Sequence, residues 1–422
     1  MGSPVAGTTL FILCLISLTT TFAAAAFWPY DLRQGLEQAV RGRLLAGSGG
    51  GGAVVPISWS HAHYVANFTI GSPPQPASGI IDLSGELVWT QCAQCKLRRG
   101  GCFKQELPLF DPAKSNTYKT EPCGTDLCDS IPPDSRNCSS SGDGKNVCVY
   151  AADTRGGETG GVVGTDVFAV GSTANASLAF GCVVDSDIDA AAGLDGASGF
   201  VGLGRTPWSL VSQTGVAAFS YCLAGAGKGN SALFLGDAAK LTAGKSAPTT
   251  PFVNISGGDD EAFDNYYKVR LDGVKAGDAV IALPAGGSVV LLDTYSPVTF
   301  LVDGAYQALK KAVTVAVGGA PTAAPLKPFD VCFPKSSAGG APELVLTFQG
   351  GAAMRVPPAS YLLDDGNGGV CLAILSSARL RLPRELEGIS ILGSLQQENI
   401  HLLFDLEKKT LSFEPADCSK LN

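Results

Sequence analysis

Two short apolar runs each end in one aspartate: Ile80-Ile81-Asp82-Leu83-Ser84-Gly85 in the first half, Leu291-Leu292-Asp293-Thr294-Tyr295-Ser296 in the second. A buried strand that stops at an acidic residue is costly unless the carboxylate is hydrogen-bonded or takes part in chemistry. Each run is followed further on by an apolar pair and a glycine: Phe200-Val201-Gly202 after the first, Ile391-Leu392-Gly393 after the second. The same order met twice points to a duplicated unit that brings two carboxylates face to face. Like charges a few ångströms apart cannot both ionise, so such a pair shares a proton and can activate water. Asp82 and Asp293 are therefore the candidate catalytic residues.

The elements that must position them are mostly strands. Gly 53 and Pro 25, a charged fraction of only 16% and short apolar segments between turn residues read as mainly β structure. Tyr64-Val65-Ala66-Asn67-Phe68-Thr69-Ile70 alternates and is turned by Gly71-Ser72-Pro73-Pro74, and Tyr266 to Leu271 repeats the strand pattern. The segment from Cys92 to Cys148 reads as an insertion held by disulfides, and a short helix is expected from Asp303 to about Ala316. The chain of 422 residues suffices for two domains. The expected divisions are a signal peptide over 1–26, a pro-segment over 27–60, an N-terminal lobe over 61–230 and a C-terminal lobe over 231–422. Leu223 to Asn230, rich in glycine, is the expected join between the lobes.

Composition excludes several partners. Lys+Arg 30 against Asp+Glu 38 gives a net charge of −8 with no dense basic run, which argues against nucleic acid. Leu10 to Leu18 has the length of a signal-peptide core, with Ala23 to Ala26 as the cleavage zone, and no later stretch is long enough to span a bilayer. Leu32, Leu36, Val40 and Leu44 fall at helical spacing among arginines, before a glycine run at 47–52. That is the pattern of a basic helix able to cover an acidic cleft until it is removed. Of 13 cysteines, Cys14 lies in the signal and 13 − 1 = 12 remain, an even number suited to disulfides in an oxidising compartment. Their connectivity is not deducible from spacing. Sequons at Asn67, Asn137, Asn175 and Asn254 fit a secreted glycoprotein of the cell wall or, alternatively, the vacuole. His61, His63 and His401 have no companions at metal spacing, and the glycine-rich stretches match no nucleotide fingerprint. Neither a metal nor a cofactor is expected, and the expected state is a monomer.

An ordered series of landmarks resembles the pepsin-like aspartic proteases, specifically their plant nepenthesin-like branch. It runs from Tyr64–Pro74 into Asp82, then through Val88-Trp89-Thr90-Gln91-Cys92, Pro122-Cys123-Gly124-Thr125-Asp126-Leu127-Cys128, Phe180-Gly181-Cys182, Gly202-Leu203-Gly204-Arg205 and Phe219-Ser220-Tyr221-Cys222. It ends with Val370-Cys371-Leu372-Ala373, Ile391-Leu392-Gly393-Ser394 and Phe404-Asp405. The resemblance implies a bilobal, mainly β pepsin-like fold with a peptide-binding cleft between two β-rich lobes. One aspartate from each lobe would stand at the base of the cleft, with a protein or peptide as substrate.

The family's loop is Asp, Thr or Ser, Gly, then Ser or Thr. Its first hydroxyl locks the two loops together, its glycine N–H bonds the carboxylate and its last hydroxyl orients the outer carboxylate oxygen. Here the supporting residues are Ser84 and Gly85, in exchanged order, and Thr294 and Ser296. Leu83 replaces one locking hydroxyl, and Tyr295 replaces one glycine. In the flap, the hairpin that closes over substrate, Thr154 falls where the family has a tyrosine. A hydrogen bond to a charged group is worth ~1.5–3 kcal/mol, so losing two slows hydrolysis by about 10²–10⁴ unless Ser84 substitutes. Two readings follow. One is a secreted aspartic endopeptidase working in acid through a water held by Asp82 and Asp293. The other is a catalytically inactive binder or inhibitor of a glycoside hydrolase, like the cereal xylanase inhibitors, which the degenerate loops resemble.

Overall fold

Asp82 and Asp293 end two strands built alike. The computed structural model describes residues 52–97, 101–140, 146–171, 174–225, 228–254, 266–318, 320–322, 325–380 and 388–421. The expected signal peptide 1–26 and residues 27–51 of the expected pro-segment, with their helical spacing, lie outside the described residues.

Gln75–Asp82 is buried over its last six residues, which is why it reads as a continuous apolar run and not an alternation. It pairs in parallel with Gly199–Gly202, placing Ile80 opposite Phe200 and Asp82 opposite Gly202. Val88–Gln91 flanks the far side of Gly199–Gly202, antiparallel. In the second half, Ser288–Leu292 pairs in parallel with Ile389–Leu392, and Thr299–Leu301 flanks that strand through Phe300 opposite Ile391. The recurring apolar pair with glycine is thus the partner strand of each aspartate strand. Glycine is needed there because the aspartate loops pass so close. A Cβ on Gly202 would stand 2.6 Å from the Gly85 and Leu87 carbonyl oxygens, and one on Gly393 would overlap the Val298 carbonyl.

The two halves meet on a platform of strands lying side by side: Thr249–Pro251, Thr410–Pro415, Ile400–Asp405, Ala218–Cys222, Ser231–Leu235 and Ala53–Ser60. Two expected divisions fall within this platform. Residues 53–60, placed in the pro-segment, form a strand paired on both sides, with Ser231–Leu235 and with His63–Ile70. Their alternating buried residues Ala53, Val55 and Ile57 belong to the body's core. The other division is the passage 223–230, the expected join between lobes. It links two adjacent antiparallel strands of the platform, Ala218–Cys222 and Ser231–Leu235. Across the seam Phe219 stacks on Phe404 at 4.6 Å, and the Tyr267 hydroxyl donates to the Leu203 carbonyl at 2.8 Å.

The second lobe centres on an eight-stranded sheet containing Ser288–Leu292. The expected helix is present as Asp303–Val317, burying Ala305, Tyr306, Leu309, Val313 and Val317 on one stripe and ending at Gly318 in the left-handed region. Among the described residues, no helix is long and apolar enough to cross a membrane. All four sequon asparagines are exposed.

All twelve remaining cysteines pair: Cys92–Cys182, Cys95–Cys102, Cys123–Cys138, Cys128–Cys148, Cys222–Cys418 and Cys332–Cys371. Three of these lie within the insertion, yet Phe103, Phe110 and Ile131 are buried there too, so it has some core of its own. Cys222–Cys418 closes a separation of 196 residues, against 7 for Cys95–Cys102. On the chain-entropy account these restrict the unfolded chain by about 5 and about 2 kcal/mol. Removing Cys222 and Cys418 together by serine substitution should therefore lower unfolding free energy more than removing Cys95 and Cys102. Equal losses in denaturant titrations would contradict that account.

Candidate active site

Each carboxylate is held by the loop that follows it. Asp82 Oδ1 accepts the Ser84 N–H at 2.9 Å and the Ser84 hydroxyl at 2.7 Å. Asp293 Oδ1 accepts the N–H groups of Tyr295 at 2.8 Å and Ser296 at 3.2 Å. Both aspartates are buried. The exchange of serine and glycine in the first loop is therefore tolerated. Ser84 supplies both donors, and Gly85 makes the close approach, since a Cβ there would lie 2.9 Å from Gly202 Cα.

Thr294 of the second loop bonds the backbone of the first. Thr294 Oγ1 donates to the Ile81 carbonyl at 2.8 Å and accepts the Leu83 N–H at 3.1 Å. Leu83 has no hydroxyl to return the favour, so the lock is made from one side only. Ser296 differs from its expected role. Its hydroxyl donates to the Val298 carbonyl at 2.9 Å, and only its N–H serves the carboxylate. Behind the second loop, Gln397 Nε2 donates to the backbone carbonyls of Asp293 and Leu392, both at 2.8 Å.

Tyr295 stands at the position where the family has glycine. Its ring reaches across the seam, stacking on His63 at 4.6 Å and lying 5.6 Å from Phe200. His63 is itself fixed by Asp195 Oδ2 at 2.9 Å.

What lies against the dyad is Arg155, a residue that the sequence reading passed over. The strands Asn146–Thr154 and Gly157–Val170 form a hairpin with Thr154 opposite Gly157, so Arg155 and Gly156 are its two-residue turn. Thr154, the expected flap residue, spends its hydroxyl on the Gly157 carbonyl at 2.7 Å and only shapes the turn. Arg155 Nη2 donates to Asp293 Oδ2 at 2.5 Å, and Nε donates to Ser84 Oγ at 3.3 Å. Its guanidinium carbon lies 5.6 Å from the Tyr295 ring centre and 5.9 Å from that of Tyr266, within cation–π range. The signal was a lone cation at a hairpin tip, one residue beyond the position reached by counting from Tyr150.

The electrostatics follow from burial. Burial raises the Asp82 carboxyl above the ordinary carboxylate range. The Asp293 charge adds to this, while Arg155 and the two Ser84 bonds oppose it. Burial works against the charge on Arg155, but Asp293 above all, with smaller help from Tyr266, Asp82 and Tyr295, holds the guanidinium firmly protonated. Among the described residues no group of three His, Cys, Asp or Glu side chains is arranged to hold a metal ion.

Two family profiles match consecutive parts of the chain: "Xylanase inhibitor N-terminal" over residues 64–237 and "Xylanase inhibitor C-terminal" over 266–415. Aspartic proteinase nepenthesin-1 of Nepenthes gracilis is 30% identical over 386 residues, 88% of this chain and 82% of the relative. The chain belongs to the pepsin-like aspartic protease family, in its plant nepenthesin-like branch. Aspartyl protease 37 of Oryza sativa subsp. japonica is likewise 30% identical, over 87% of this chain and 83% of its own length. The fold is similar to that of basic 7S globulin from soybean (TM-score 0.69, 20% identity, 88% of this chain and 98% of that one). It is also similar to that of the aspartic proteinase from Irpex lacteus (TM-score 0.61, 16% identity, 88% and 99%).

Two outcomes are expected from this geometry. Thr294→Val strands the Ile81 carbonyl and the Leu83 N–H in a buried seam, at a cost of about 2 kcal/mol or more; an unchanged denaturation midpoint would show that the lock is not structural. Because folded Asp82 holds its proton more tightly than the unfolded chain does, its contribution to stability is fully present below the ordinary carboxylate range. It is lost as pH rises through the raised pKa. Asp82→Asn should therefore flatten the fall in melting temperature over that rise.

Proposed function

We propose that this member of the family is a secreted aspartic-type endopeptidase that hydrolyses peptide bonds in acid, attenuated by its altered loops. The observation that carries the reading is the retention of both carboxylates, each on its loop donors and joined through Thr294. Asp82, whose proton burial retains, is suited to be the general acid, and Asp293 the general base. A water between them gives a proton to Asp293 while its oxygen attacks the scissile carbonyl carbon, and Asp82 gives its proton to the carbonyl oxygen. As the tetrahedral diol collapses, the proton on Asp293 passes to the leaving nitrogen, the C–N bond breaks, and one diol hydroxyl returns its proton to Asp82 as the new C=O forms. An extended peptide lying in the cleft beneath the flap is the substrate that this arrangement suits.

A second reading rests on a specific observation. Arg155 occupies the Asp293 oxygen that the loop leaves for water, and Leu83 removes half of the lock. A protein locked permanently in that state would bind without cleaving, as an inhibitor of a glycoside hydrolase would.

Digestion of a denatured protein by the mature chain in acid, with and without pepstatin, separates the two. Cleavage should be pepstatin-sensitive, should decline on the alkaline side as Asp82 loses its proton, and should fall by about 10²–10⁴ in Asp82→Asn and in Asp293→Asn. Indistinguishable wild-type and Asp82→Asn digests, together with inhibition of a xylanase, would replace the enzyme with the binder.

A further inference from the structure

The flap turn is pinned to the cleft from both sides. Arg155 reaches one way, to Asp293 Oδ2 and Ser84 Oγ, between Tyr266 and Tyr295. Gly156 is pressed the other way, where a Cβ would meet Leu194 Cδ2 at 2.7 Å and Phe200 Cε2 at 3.3 Å. Asp187 Oδ1 ties down the strand two residues further on by accepting the Glu158 N–H at 2.6 Å. In this position the guanidinium covers the carboxylate oxygen where a hydrolytic water must bond, and the Arg155 side chain is only 14% exposed. A peptide entering the cleft must therefore part Arg155 from Asp293. A guanidinium moved off one buried carboxylate is stabilised by gaining another.

We propose that Arg155 determines substrate specificity. It shuts the dyad at rest, and it favours peptides whose own acidic side chain, close to the scissile bond, replaces Asp293 as its partner. The proposal rests on the peptidase reading for its cleavage readout but not for its binding readout. The Thr154–Gly157 turn carries the cation directly above the reacting atoms, so the matching carboxylate belongs within a residue or two of the cleaved bond. A planar guanidinium fits a carboxylate through two parallel N–H donors, which gives the replacement both charge and geometry.

The test uses matched peptides that differ only by Glu or Gln beside the cleavage position, at about pH 5.5, where a peptide glutamate is ionised. Wild type should cleave the Glu peptide with a kcat/KM about tenfold or more higher. Arg155→Gln should erase that preference and raise cleavage of the Gln peptide, while Arg155→Lys should keep a reduced preference; melting curves confirm that each variant folds. Peptide binding to the Asp82→Asn chain, followed by fluorescence anisotropy, reads the same preference without hydrolysis. A preference in binding but no cleavage by wild type would uphold the role of Arg155 and sink the peptidase reading. Cleavage without any Glu preference, or a preference that survives in Arg155→Gln, would overturn the proposal and leave the peptidase reading standing.

Discussion

Two carboxylates buried in one seam cannot both carry uncompensated charge, and the rest of the molecule is arranged around that constraint. Like charges at close range in a medium of low polarity repel strongly. The chain meets this in three ways. Loop N–H groups and the Ser84 hydroxyl bond one oxygen of each aspartate, burial favours the protonated form of Asp82, and Arg155 sets a positive charge on the other oxygen of Asp293. None of these works unless the two loops are held in register. That register comes from Thr294 bridging to Ile81 and Leu83 and from the platform strands contributed by both halves.

The duplicated architecture follows from the same need. A carboxylate at the end of a parallel strand buried on both faces stands at a fixed height, and a second copy of that unit places the second carboxylate at a matching height. The glycines at 202 and 393 are where the demand is sharpest, because the loop carrying or following each aspartate passes over the partner strand with no room for a side chain. The pattern of an apolar run, an aspartate and a later apolar pair with glycine is thus the sequence image of one physical object, a loop crossing a strand end.

That image was legible because burial on both faces leaves a near-continuous apolar signal and because close approach leaves only glycine. The helix over Asp303–Val317 was legible for a similar reason, its apolar stripe and terminal Gly318 being local properties. The platform was less so. The strand Ala53–Ser60 has an ordinary alternation, and only its partners Ser231–Leu235 and His63–Ile70 make it part of the body. The pairing with Ser231–Leu235 is long-range and leaves no mark in the segment itself, while that with His63–Ile70 closes a local hairpin. Arg155 was hidden for a different reason. Its contact with Asp293 depends on which residue of a two-residue turn reaches inward, and a register counted from Tyr150 stops one position short.

Leu83, Tyr295 and Thr154 look like three separate losses when each is set against the family's loops, but in the folded chain they are connected. Leu83 removes a donor, and the Ser296 hydroxyl faces Val298 and not its aspartate, so the dyad has fewer hydroxyl groups around it than the family's pattern supplies. Arg155 returns donors to that space, bonding Asp293 directly and Asp82 through Ser84. Tyr295 gives the guanidinium an aromatic face opposite Tyr266, and His63, anchored on Asp195, holds the Tyr295 ring there. Thr154, in place of a bulky flap tyrosine, closes a tight turn and leaves the neighbouring arginine to reach inward. The departures therefore form one compensating set organised around a cation, and reverting any one of them alone would leave the others without the partner that makes them favourable.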